Sequence, residues 1–67
     1  MENKIVEIVY TNWKGITSTR HIIPIEIFFG STEWHKEEQW LLNAFDVDKQ
    51  ANRAFALKDI KSWKEIK

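Results

Sequence analysis

The chain's two arginines, Arg20 and Arg53, offer the most directed chemistry in its 67 residues. A guanidinium presents a planar fork of N–H donors that matches phosphate or carboxylate oxygens two at a time, so a pair of them can grip a nucleotide backbone. The competing assignment is a pair of surface salt bridges to Glu26 or Asp46, because charged side chains most often face water. Aromatic rings beside cations form the second candidate group, in Trp13-Lys14 and in Trp34-His35-Lys36. Bases stack on exposed rings while neighbouring cations follow the phosphates, which is how single strands are held. Trp13 and Trp34 fall where the chain turns, and a turn tip is hard to bury. Trp40 lies in an apolar run, where its strand position marks it for the core.

Other chemistries lack their parts. Glu33, His35, Glu37 and Glu38 gather one imidazole with three carboxylates, and His21 could approach from another strand. Their spacing matches neither the paired histidines of a zinc helix nor an Asp-rich calcium loop, so a solvated acidic loop without a metal is expected. A nucleophile would need Ser31, Thr32 or Ser62 beside His21 or His35, and Gly30-Ser31-Thr32 is no nucleophile elbow. Two glycines, Gly15 and Gly30, cannot make a phosphate-cradling loop. The absence of Cys removes disulfides and thiolate metal sites. These patterns predict a non-enzymatic protein with no cofactor.

The elements that must position these groups are few. A chain of this length makes one small domain, residues 1–67, that buries about 60% of the surface its unfolded form exposes. Ten Lys and Arg balance ten Asp and Glu, which argues against attachment to nucleic acid by bulk charge and leaves any binding to placed residues. The longest apolar stretch, residues 22–29, is interrupted by Pro24 and Glu26 and is far too short to span a bilayer. The first residues run directly into a strand pattern without a leader-like apolar region, so a cytoplasmic location and no membrane partner are expected.

Residues 4–11 alternate Val6, Ile8 and Tyr10 against Ile5, Glu7 and Val9, a period of two that predicts a strand. Asn12-Trp13-Lys14-Gly15 carries hairpin-turn chemistry. Residues 16–23 predict a second strand ending near Pro24, which removes a ladder donor, and residues 25–29 predict a third, stopped by Gly30-Ser31-Thr32. Residues 34–38 read as a polar loop or one helical turn. Residues 39–45 carry apolar side chains on both faces and predict the centre of the sheet. After the connection Asp46-Val47-Asp48-Lys49-Gln50, residues 52–57 alternate as a fifth strand. Leu57, Ile60, Trp63 and Ile66 recur every third residue, consistent with a helical or 3₁₀ turn or with a turn followed by a short strand. Short strands at hairpin spacing predict an all-β fold, with barrel closure as the way to remove exposed edges.

The order of motifs resembles the WYL domain family: Ile8-Val9-Tyr10, Asn12 with Gly15, Arg20-His21-Ile22-Ile23-Pro24, Trp40-Leu41-Leu42 with Ala44-Phe45-Asp46, Arg53-Ala54-Phe55, and Asp59-Ile60. Residues 29–35 followed by 39–42 are similar to short standalone WYL-like proteins of bacteria and their phages. The resemblance implies a five-stranded, Sm-like β-barrel of the Src-homology-3 type and a ligand-sensing or nucleic-acid-sensing role in regulation. It carries the family's pocket positions onto Arg20, Trp40 and Arg53. The middle tyrosine of the name motif is Leu41 here, and Asp59 stands where many members carry arginine; both changes remove groups that could hold an anion. The expected ligand site therefore comprises Arg20, Arg53, Trp13, Trp34, Trp40 and His35, with a nucleotide or a single strand of nucleic acid as partner. The alternative is an interaction or assembly protein, a homo-oligomer or the adaptor of a partner regulator, motivated by more aromatics than a small core needs.

Overall fold

A computed structural model describes residues 4–33 and 35–66. Five strands, β1 (Val6–Thr11), β2 (Thr17–Gly30), β3 (Gln39–Asp46), β4 (Ala51–Ala56) and β5 (Ile60–Glu65), form one antiparallel sheet in the order β4-β3-β2-β1-β5. A 3₁₀ turn, Leu57–Asp59, joins β4 to β5. No helix among the described residues is long and apolar enough to cross a membrane.

The all-β architecture and β1 agree with the sequence pattern, and the strand divisions differ in three places. Pro24 does not end a strand. Residues 17–30 run as one long β2, with a bulge between Pro24 and Glu26 on the β3 side. The His21 carbonyl accepts from the Val47 amide on the β3 side, so by alternation the Pro24 nitrogen faces the β1 side, where the β1–β2 register stops at Val6↔Ile22. The missing N–H therefore costs no ladder bond. The fifth strand is supplied by the C-terminal segment, whose 3₁₀ turn and short strand are both present. The centre of the sheet is β2, and β3 lies one strand in from the edge.

The two edge strands are joined by a very short link. Five flat strands would separate β4 from β5 by about 19 Å, whereas the four steps from Ala56 to Ile60 reach at most about 14 Å. The sheet must curl, and side chains on non-neighbouring strands record it. The rings of Tyr10 on β1 and Phe55 on β4 meet edge to face at 4.9 Å and 85°, and the Ala56 amide donates to Tyr10 Oη at 3.4 Å. Among the described residues no ladder connects β4 with β5, so the sheet stops short of the expected closed barrel.

The concave face holds the core: Val6, Ile8, Tyr10, Ile22, Leu42, Ala44 and Phe55, with Leu57 and Ile60 packed against it. Leu41, on the opposite side of β3 from Leu42, is buried as well, in register with Phe28 and Ala56. Phe45 is only half-buried. Trp40 departs furthest from expectation: it shares the parity of Leu42 and Ala44 yet is 57% exposed. The β3–β4 register begins at Leu41↔Ala56 and the β1–β2 register ends at Ile22, so neither β4 nor β1 extends far enough along the sheet to cover it. Its ring rests edge to face on Phe29, its cross-strand partner, at 5.4 Å.

Candidate functional site

Register brings the two arginines together. Asp46, at the end of β3, pairs with Ile22 on β2 and with Ala51 on β4. Arg20 lies two residues before the first partner and Arg53 two after the second, so both occupy diagonal positions on the face of Asp46, within reach of long side chains. Arg20 Nη1 donates to Asp46 Oδ2 at 3.2 Å, and Arg53 Nε stands 3.9 Å from the same oxygen. The other oxygen, Oδ1, accepts from the Lys49 amide at 3.1 Å and fixes the turn into β4. The Asp46 side chain has no solvent exposure. Glu26, the other acid weighed as a partner, is exposed and makes no ion pair among the described residues. The salt-bridge assignment thus holds for Asp46, and it does not consume the arginines: one carboxylate faces two guanidiniums.

The arginines look into a cleft of about 550 Å³ lined also by Tyr10, Asn12, Trp13, Lys14, Ile16, Thr32, His35, Ala51, Asn52, Ala54 and Phe55. One wall is the β1–β2 turn. Asn12 Oδ1 accepts from the amides of Lys14 and Ile16 at 2.9 and 3.0 Å, and the Gly15 amide donates to the Asn12 carbonyl at 2.9 Å. Gly15 takes φ +81°, which any Cβ would strain. That turn presents Trp13, 66% exposed, with Lys14 Nζ 5.2 Å from its ring centroid. A second wall is pinned by Thr32 and His35: the Thr32 amide donates to the His35 carbonyl at 2.7 Å, and the His35 amide donates to Thr32 Oγ1 at 3.0 Å. At the floor, burial pushes the Tyr10 phenol above its ordinary pKa, against the opposing effect of the Ala56 amide. The lining carries three permanent cations and no carboxylate.

Four of the six expected site residues, Arg20, Arg53, Trp13 and His35, line this one cleft. Trp40 does not; it belongs to the uncovered end of β2 and β3 described above. Trp34 lies outside the described residues. The other histidine, His21, has the opposite parity from Arg20 and Ile22 and sits on the outer face of the sheet. Its Nδ1 lies 3.0 Å from Asp48 Oδ2 and its Nε2 3.3 Å from Glu7 Oε1. The hydrogen bond to Asp48 raises its pKa, burial opposes this, and the bond to Glu7 adds to the rise. Leu41 is buried and does not line the cleft. Asp59 borders a smaller concavity of about 350 Å³ that shares Trp13 and His35 with the cleft and mixes Lys36 and Lys58 with Glu37.

Sequence reasoning missed Tyr10 as part of the floor, and it named Asp46 only as one of two alternative salt-bridge partners, not as the buried group that both arginines share. A signal for Asp46 exists: it has the parity of Leu42 and Ala44, so an acidic residue was destined for the core face of β3 and needed cationic partners there.

No curated protein and no solved structure matches the chain. The family model of the WYL domain matches residues 1–65. The chain belongs to the WYL domain family, whose members are generally regulatory, ligand-sensing modules.

Proposed function

We propose that this WYL domain is a non-enzymatic binding module that takes a nucleotide or a short single strand of nucleic acid into the cleft between the β1–β2 turn and β4. The observation that carries this reading is the composition of the lining: Lys14, Arg20 and Arg53 with no carboxylate, next to the exposed ring of Trp13. Cations supply phosphate contacts and the ring supplies a stacking surface, whereas net charge supplies nothing. The cleft's size suits one or two nucleotides rather than a duplex. The strand order, the curl and the 3₁₀ link between the edges support an Sm-like, Src-homology-3-type assignment for the sheet.

Titration of tryptophan fluorescence with decathymidylate and decauridylate tests the reading. Three phosphate contacts on a single strand give a salt slope of about −2, so affinity falls about 15- to 20-fold between about 50 and 200 mM salt. No fluorescence response at tens of micromolar strand overturns it.

One observation favours a second reading, docking to a partner regulator or to another copy. Ile27, Phe29 and Trp40 share the uncovered end of the concave face, and each is more than half exposed. Light scattering that shows a strict monomer at all concentrations removes the self-association form of it.

A further inference from the structure

The chain contains only two arginines, and both converge on one buried oxygen. Arg20 is held at two points, by Asp46 through Nη1 and by Ser18 Oγ, which accepts from Nε at 3.3 Å. Arg53 Nε stands 3.9 Å from Asp46 Oδ2, an ion pair without a hydrogen bond, and its side chain is 48% exposed. None of the remaining guanidinium donors has a partner among the described residues. Asp46 itself is withdrawn from solvent and locked from behind by the Lys49 amide. Its charge compensates one guanidinium and leaves the cluster with a net charge of one positive unit facing the cleft.

We infer that Asp46 is the positioning residue of the anion cleft: its buried carboxylate fixes the plane of Arg20 by a hydrogen bond and holds Arg53 beside it by charge, so that their free donors meet one anionic group together. The inference rests on the reading of the cleft given above. An unrestrained arginine must lose several rotatable bonds' freedom when it grips an anion, and a guanidinium ordered beforehand avoids that loss. A fully buried acid placed beneath an anion site is otherwise counterproductive, because its charge repels the ligand. Charge alone and positioning therefore predict opposite signs for its removal.

The test is Asp46→Asn, which retains an oxygen for the Lys49 amide and makes the chain more positive. Decathymidylate affinity is expected to fall at least about fivefold, with the salt slope reduced as the guanidiniums cease to act together. Equal or tighter binding by the variant overturns the inference. Ser18→Ala releases the second anchor of Arg20 without changing any charge and carries the test if the Asn variant does not fold; a loss of about two- to threefold is expected, and unchanged affinity overturns the inference. A readout without ligand separates this inference from the functional reading. The Arg20 Nη–H resonances should be dispersed in the wild type and should move to the free-arginine position when Asp46 is replaced. Dispersed resonances with no strand binding refute the nucleic-acid reading and leave the positioning role standing. Free-arginine resonances in the wild type refute the positioning role.

Discussion

Arg20 Nη1 lies 3.2 Å from Asp46 Oδ2, joining the middle strand of the sheet to the end of β3 through a carboxylate that water does not reach. Removing one partner of a buried pair leaves the other's desolvation uncompensated, so Asp46→Ala is expected to cost about 3 kcal/mol in urea unfolding. It also strips the Lys49 amide of its acceptor. Arg53 stands farther from the same oxygen and is half exposed, so Arg53→Ala is expected to cost only about 0–1 kcal/mol. Equal losses for the two variants would contradict this asymmetry.

His21 predicts the pH dependence of stability. A neutral imidazole has one N–H, yet both ring nitrogens face carboxylate oxygens, Asp48 on one side and Glu7 on the other. Only the imidazolium donates to both, and its folded pKa is raised above 6.5 accordingly. The folded state thus holds this proton more tightly than the unfolded state. The stabilisation is fully present below about pH 6.5 and is lost as pH rises through the folded value. Urea midpoints of the wild type and His21→Gln should differ most near pH 6 and converge on the alkaline side. A gap that widens with pH would refute the clamp.

Tyr10 reports the curl of the sheet, because its ring touches Phe55 and its hydroxyl accepts from Ala56 on a strand it does not neighbour. Tyr10→Phe keeps the ring contact and orphans a buried amide, for an expected loss of about 1–2 kcal/mol. Phe55→Ala removes the ring and should cost about 3–5 kcal/mol. The chain's only tyrosine also titrates above its ordinary value because of burial. Phenolate absorbance in an alkaline titration should therefore rise above pH 10, and stability should fall over the same range, since the folded state favours the protonated form. A phenol that ionises at its free value while the sheet remains folded would contradict the placement.

What the sequence showed was local. Asn12 and Gly15 specify their turn through hydrogen bonds and a positive φ confined to a few residues, and the alternation of Val6, Ile8 and Tyr10 fixes which face of β1 is buried. Arg20 and Arg53 were recognisable as a pair, with Asp46 one of two possible partners. What was not legible depends on separate segments meeting. Pro24 looks like a stop unless one knows that β1 has already ended beside it. The C-terminal segment pairs with β1, fifty or more residues earlier, so its threefold spacing could not distinguish a helical turn from a turn and a strand. The parity of Trp40 was correct; how far β1 and β4 extend decided its exposure.

Trp40 and Phe29 give the last prediction, because they separate residue type from burial. Each large aromatic would cost about 3–5 kcal/mol on truncation in a core. Here both rings are more than half exposed, and the pair retains its edge-to-face contact at 5.4 Å. Trp40→Ala is therefore expected to lose about 1–2 kcal/mol, combining a partial burial loss with the ring interaction. Phe29→Ala should lose a similar amount, and the double variant less than the sum, since the shared contact is removed by either change. The coupling energy from that cycle should be about 0.5–1.5 kcal/mol. Because neither ring lines the cleft, decathymidylate titration of both single variants should give wild-type affinity. A binding defect in Trp40→Ala with its stability intact would place this residue in the ligand site.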